Sequence, residues 1–122
     1  MINFFIEKIT TGQHFEVWKK SNRNLIDVDD MALLVNAILD KKFKTNSIIN
    51  IAHPIDYSIS EIVNIITEFC GKSGNYTVVN RGSSYVIDLS EISDFKLQLP
   101  TAAFGKNYLS FLLNKYYTEF KA

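Results

Sequence analysis

Cysteine is almost absent from this chain. The single one, Cys70, excludes an internal disulfide and a cysteine-based zinc site, and it fits a reducing compartment. An excess of charge is missing as well. Thirteen basic and thirteen acidic residues cancel, whereas a surface for duplex nucleic acid normally needs a basic surplus. Five glycines and two prolines are few for a protein with large loops. No apolar run approaches the ~18 residues of a membrane span. The apolar start, Met1 to Ile6, is interrupted by Glu7 and Lys8, and it carries neither a basic leader nor a small-residue cleavage site. Nucleic acid and membrane are therefore not expected partners. What is present is a globular balance, 47% hydrophobic and 21% charged residues. A chain of 122 residues is expected to form one domain, 1–122, that removes roughly 65% of its unfolded surface from water. Its expected location is the cytoplasm.

Four segments carry helical periodicity. Ile2, Phe5, Ile6 and Ile9 align on a first helix. A second opens at Asp27-Val28-Asp29-Asp30 and runs to about Asp40, with Met31, Leu34, Val35, Ile38 and Leu39 on one face. The third lies between Ser58 and Gly71. Ser58 and Glu61 form a capping-box pattern there, and Gly71 is a C-terminal stop. The fourth is expected from about Ala102 to Phe120 and is apolar over more than half its circumference, so it should touch two partners.

Between the helices lie short β-branched or aromatic runs: His14 to Trp18, Ser47 to Ala52, Tyr76 to Asn80 and, more weakly, Tyr85 to Ile87. Helices interleaved with short strands predict an α/β fold with a small, partly parallel sheet and about four helices.

Several local patterns have plain structural readings. Gly71-Lys72-Ser73-Gly74 resembles the end of a phosphate loop, but Ile66 stands where that loop needs its first glycine. A helix stop and turn is the better reading. Tyr117 and Lys121 have the spacing of a catalytic tyrosine–lysine pair, yet no dinucleotide fold precedes them. Asp27, Asp29 and Asp30 lack the further oxygen ligands of a calcium loop, and carboxylates at a helix start cap free N–H groups. Neither histidine has a partner at ligand or triad spacing.

Two arginines are harder to absorb. Arg23 precedes the second helix, and Arg81 follows the Tyr76–Asn80 strand. Two guanidinium groups at two strand ends can clamp a diphosphate, because each matches phosphate oxygens bidentately. Trp18, five residues before Arg23, offers a flat platform for a nucleobase.

These residues resemble a known family. Arg23-x-Leu-Ile-x-Val-x-Asp30 is similar to the "Arg-x-Phe-x-Tyr-Val-x-Asp" segment of extended short-chain dehydrogenase/reductases, the nucleotide-sugar epimerases and dehydratases. The helix, Gly12 and the Phe15-Glu16-Val17-Trp18 strand resemble what precedes that segment. Ile49-Asn50-Ile51-Ala52 with Tyr57-Ser58-Ile59-Ser60-Glu61-Ile62 resembles "Tyr-Asn-Ile-Gly … Ser-Ile-x-Glu-Leu". Arg81-Gly82, Asp88-Leu89-Ser90 and Phe104-Gly105 resemble the family's tail. The shared order covers almost the whole chain. Lys19 replaces the usual glycine after the Trp18 position, Asp27 an aromatic, and Ser83-Ser84 a "Gly-Asp" pair, which leaves base and sugar unspecified.

The resemblance implies a C-terminal substrate-binding lobe, with the NAD(P)-binding Rossmann domain absent from this chain. A complete enzyme of the family would carry that domain in roughly 160–190 preceding residues. By the same resemblance Arg23 and Arg81 grip the diphosphate of a nucleotide sugar, Trp18 lies against the base, and Asp30 is structural. No catalytic residue, cofactor site or metal site is expected in the chain, and NAD(P) is implied only for the intact enzyme. The expected partners are a nucleotide sugar and the parent enzyme's Rossmann domain or another protein chain. The alternative is a stand-alone binding or accessory module that acts through a protein partner.

Overall fold

The computed structural model describes residues 1–40, 48–92 and 105–122. Helix α1 (Ile2–Thr11) buries Phe5, Ile6 and Ile9 and stops at Gly12. Strand β1 (Phe15–Trp18) alternates, with Phe15 and Val17 turned into the core and Glu16 and Trp18 turned outward. Strand β4 (Tyr76–Val79) lies parallel to β1, from Phe15 opposite Tyr76 to Trp18 opposite Val79. The pairing runs on beyond the ladder, because Lys19 N–H donates to Val79 O and Lys20 N–H to Arg81 O, both at 3.0 Å. A second, antiparallel pair joins β2 (Asn22–Arg23) to β3 (Tyr57–Ser58).

Helix α3 (Ile59–Cys70) is the hub, packing on α1, on β1 and on α4 (Tyr108–Tyr116). Both halves of its capping box form: Glu61 N–H donates to Ser58 Oγ at 3.1 Å, and Ser58 N–H donates to Glu61 Oε2 at 2.7 Å. Gly71 ends it at φ 63°, where a Cβ would meet Ala122 Cβ at 2.5 Å. No side chain fits there. Ala122 N–H in turn donates to Phe69 O, so the chain's last residue closes over the C-terminus of α3. The α/β class, with four helices among the described residues and a small parallel sheet, is as expected. No helix among the described residues is long and apolar enough to cross a membrane.

Four elements differ from expectation. Residues 48–52 form no strand. Ile49 and Ile51 instead pack around Leu34 as a small second cluster, while Ser47 lies outside the described residues. Residues 85–87 have strand-like sequence but no backbone partner. The side-chain amide of Asn22 takes that place, accepting Tyr85 N–H at 3.3 Å and donating to Tyr85 O at 3.1 Å. The fourth helix starts at Tyr108, not Ala102. Residues 105–107 form a turn, and 102–104, with Phe104, lie outside the described residues. It also ends early: Tyr117 leaves helical geometry at φ −132°, and Thr118–Phe120 make a 3-10 turn. Its broad apolar surface is therefore shared out. Tyr108, Leu109, Leu112 and Leu113 are buried, whereas Phe111, Tyr116 and Phe120 are exposed.

Helix α2 (Val28–Asp40) departs most. Of its expected apolar face only Leu34 is buried, with Ile38 half-buried against it; Met31, Val35 and Leu39 are exposed. It is held by polar ties to α4 instead. The Tyr108 hydroxyl donates to Asp30 Oδ2 at 2.5 Å and accepts Asp27 N–H at 2.7 Å. Lys115 and the Tyr116 hydroxyl donate to the Asp27 carboxylate. Asp29 and Asp30 lie in the first turn of α2, as expected for carboxylates at a helix start. Burial opposes ionisation of Asp27, but the bonds from Lys115, Tyr116 and Asp29 outweigh it and hold its carboxyl below the ordinary range.

Candidate functional site

An open cavity of about 550 Å³ lies between α1 and β1, within the range of small-ligand sites. Its apolar wall is aromatic. Phe4 and Phe5 of α1 close on Phe15 of β1, with ring centroids 6.4 and 5.5 Å apart. Lys8, His14, Glu16, Ser21 and Arg23 supply the polar groups around it, and Trp18 forms part of the rim.

Each of these positions has a local cause. Period-two alternation puts Glu16 and Trp18 on the same face of β1. Trp18 is 44% exposed, and its indole N–H donates to Glu16 Oε2 at 3.3 Å. Arg23 is half-buried, and its Nη1 donates to the carbonyl of Asn22 at 2.7 Å, which fixes the guanidinium beside the cavity. His14 Nε2 lies 2.9 Å from Thr77 Oγ1, tying the strand ends together.

Arg81 is placed by the glycine that follows it. Gly82 has φ 98°, and a Cβ there would stand 1.9 Å from Ser21 Oγ. Only glycine lets this loop settle onto Ser21. The settled loop sets Arg81 beside β1, with Nη1 4.0 Å from Glu16 Oε2 and a largely exposed side chain. The fold thus gathers Trp18 and Arg23 on one cavity. Arg81 stands next to that cavity, against Glu16, and does not line it.

Sequence reasoning missed the residues that hold β2 in place. Asp56 accepts Asn22 Nδ2 at 2.9 Å and Asn24 Nδ2 at 2.7 Å. Asn24 also bonds the backbone of His53 in both directions, at 2.8 and 2.9 Å. The Asn-Arg-Asn run was the available signal. In an extended segment Asn22 and Asn24 face away from Arg23 and are free to anchor it. The two-residue spacing to Trp18 made Glu16 findable, although no role was assigned to it. Asp56, more than thirty positions away in the chain, offered no such signal.

No family model and no curated protein matches the sequence. The fold does match a solved structure, that of the UDP-glucuronic acid 4-epimerase from Bacillus cereus in complex with NAD, at 18% identity and a TM-score of 0.66. The match covers 96% of this chain and 38% of that one. The chain shares its fold with part of that epimerase. At this identity the likeness is one of architecture, and it agrees with the order of elements described above.

Proposed function

We propose that this chain is the nucleotide-sugar-binding lobe of an NAD(P)-dependent sugar epimerase, dehydratase or reductase, located in the cytoplasm and inactive as an isolated piece. The observation that carries the reading is the convergence of Trp18 and Arg23 on one aromatic-walled cavity, in a fold shared with part of an NAD-bound epimerase. In this reading the guanidinium of Arg23 pairs with phosphate oxygens, and the Trp18 ring stacks on the base. The lobe contributes by positioning the sugar.

The residues present do not fit the dinucleotide. The strand-to-helix junctions β2–α2 and β3–α3 contain no glycine, and the sequence has no Gly-x-x-Gly-x-x-Gly turn. No hydride step is therefore assigned to this chain, and NAD(P) belongs to the Rossmann domain of the intact enzyme. The exposed Met31, Val35 and Leu39 of α2 and Met1 and Phe4 beside the cavity support a covering protein partner, whether that domain or a separate chain. The latter would make this lobe an accessory module.

Calorimetric titration of UDP-, dTDP- and GDP-sugars into the 122-residue protein tests the reading. At least one should bind, and Arg23→Ala should weaken it about tenfold or more, as expected for loss of a charge-assisted bond. Equal binding by wild type and Arg23→Ala overturns the proposed clamp. Turnover of a nucleotide sugar by this chain with NAD added overturns the assignment as an inactive lobe.

A further inference from the structure

One carboxylate reaches both Trp18, which lines the cavity together with Arg23, and Arg81 beside it. Glu16 lines the cavity, takes the indole N–H of Trp18 at 3.3 Å, and stands 4.0 Å from Arg81. We infer that Glu16 is a charge-selectivity residue of this cavity: it pairs with Arg81 beside the cavity and weakens ligands in proportion to their negative charge. The inference rests on the cavity being a site for phosphorylated ligands.

The side chains of Arg81 and Glu16 are 69% and 47% exposed, so their pairing is weak and readily exchanged. A bound diphosphate therefore competes with Glu16 for Arg81, and it also meets the repulsion of the carboxylate itself. An uncharged nucleoside in the same cavity meets neither effect. Glu16 thus lets the site discriminate by charge while leaving the apolar wall unchanged.

Trp18 is the only tryptophan, so selectively excited tryptophan emission reads this corner of the molecule alone. In Glu16→Gln, quenching by the anion iodide should rise about twofold while quenching by neutral acrylamide stays unchanged. The same variant should bind UDP and inorganic pyrophosphate about three- to tenfold more tightly, with uridine changed less than about twofold. Adding Arg81→Ala to Glu16→Gln should remove part of the gain. Unchanged iodide quenching together with unchanged UDP affinity in Glu16→Gln, while Arg23→Ala still weakens UDP, overturns the inference and leaves the reading of the cavity intact. Failure of every variant to bind UDP or pyrophosphate overturns both.

Discussion

Helices α2 and α3 are nearly equal in length, 13 and 12 residues, and both carry an apolar stripe, yet the fold uses them differently. α3 buries Ile59, Ile62, Val63, Ile66 and Cys70 among α1, β1 and α4. α2 buries one apolar side chain, Leu34, and is fastened by the hydroxyl of Tyr108 and the amine of Lys115. Periodicity marks a face that prefers to leave water. Whether that face is covered depends on what else the fold brings alongside.

The largest test of the contrast is Ile62→Ala. Ile62 is fully buried at the hub, so the substitution should cost about 2–5 kcal/mol in urea unfolding. A loss under about 1 kcal/mol would show that α3 is not the hub. Next comes Tyr108→Phe, which leaves the Asp30 carboxylate and the Asp27 N–H without that hydroxyl. A loss of about 1–3 kcal/mol is expected, with no change in the urea slope if the fold is kept. Ser58→Ala removes one arm of the capping box and should cost about 1 kcal/mol, measured in the same way.

The polar fastening of α2 also predicts a pH dependence. Asp27 titrates lower in the folded protein than its ordinary 3.8. Its stabilisation is therefore complete above about that pH and is lost as pH falls through the lower folded value. Lys115 is shifted the other way: its bonds to Asp27 and Asp29 raise it above its ordinary 10.5, so its contribution is complete below that pH and fades only above it. Melting curves from about pH 2 to 7 should show a flatter acid limb for Asp27→Asn than for wild type. The smallest effect belongs to the open face of α2. Val35→Ser should change stability by no more than about 0.5 kcal/mol. A loss above about 2 kcal/mol would mean that Val35 is covered in solution, and the contrast between the helices would fail.

Much of the fold was legible from residue spacing. α1 and α3 follow their stripes closely, and the Ser58–Glu61 box and the Gly71 stop form as the pattern implies. β1 and β4 fall within a residue of the predicted runs. The two missed strands share one cause. Ile48 to Ala52 and Tyr85 to Ile87 have strand-like side chains, but a strand exists only where a second backbone offers its N–H and C=O groups. In the second case the amide of Asn22 supplied those bonds instead.

The candidate site divides along the same line. Alternation along β1 was enough to place Glu16 and Trp18 on one face, because side-chain direction in a strand is a local property. Composition alone excluded an internal disulfide and a charge surplus. Where Arg23 and Arg81 stand relative to the cavity was a matter for the tertiary structure. The Gly82 loop settles on Ser21 and leaves Arg81 against Glu16, while Arg23, anchored through Asn22, Asn24 and Asp56, faces the cavity. Such a choice depends on contacts between residues dozens of positions apart, and no local pattern of side chains encodes the distance between them.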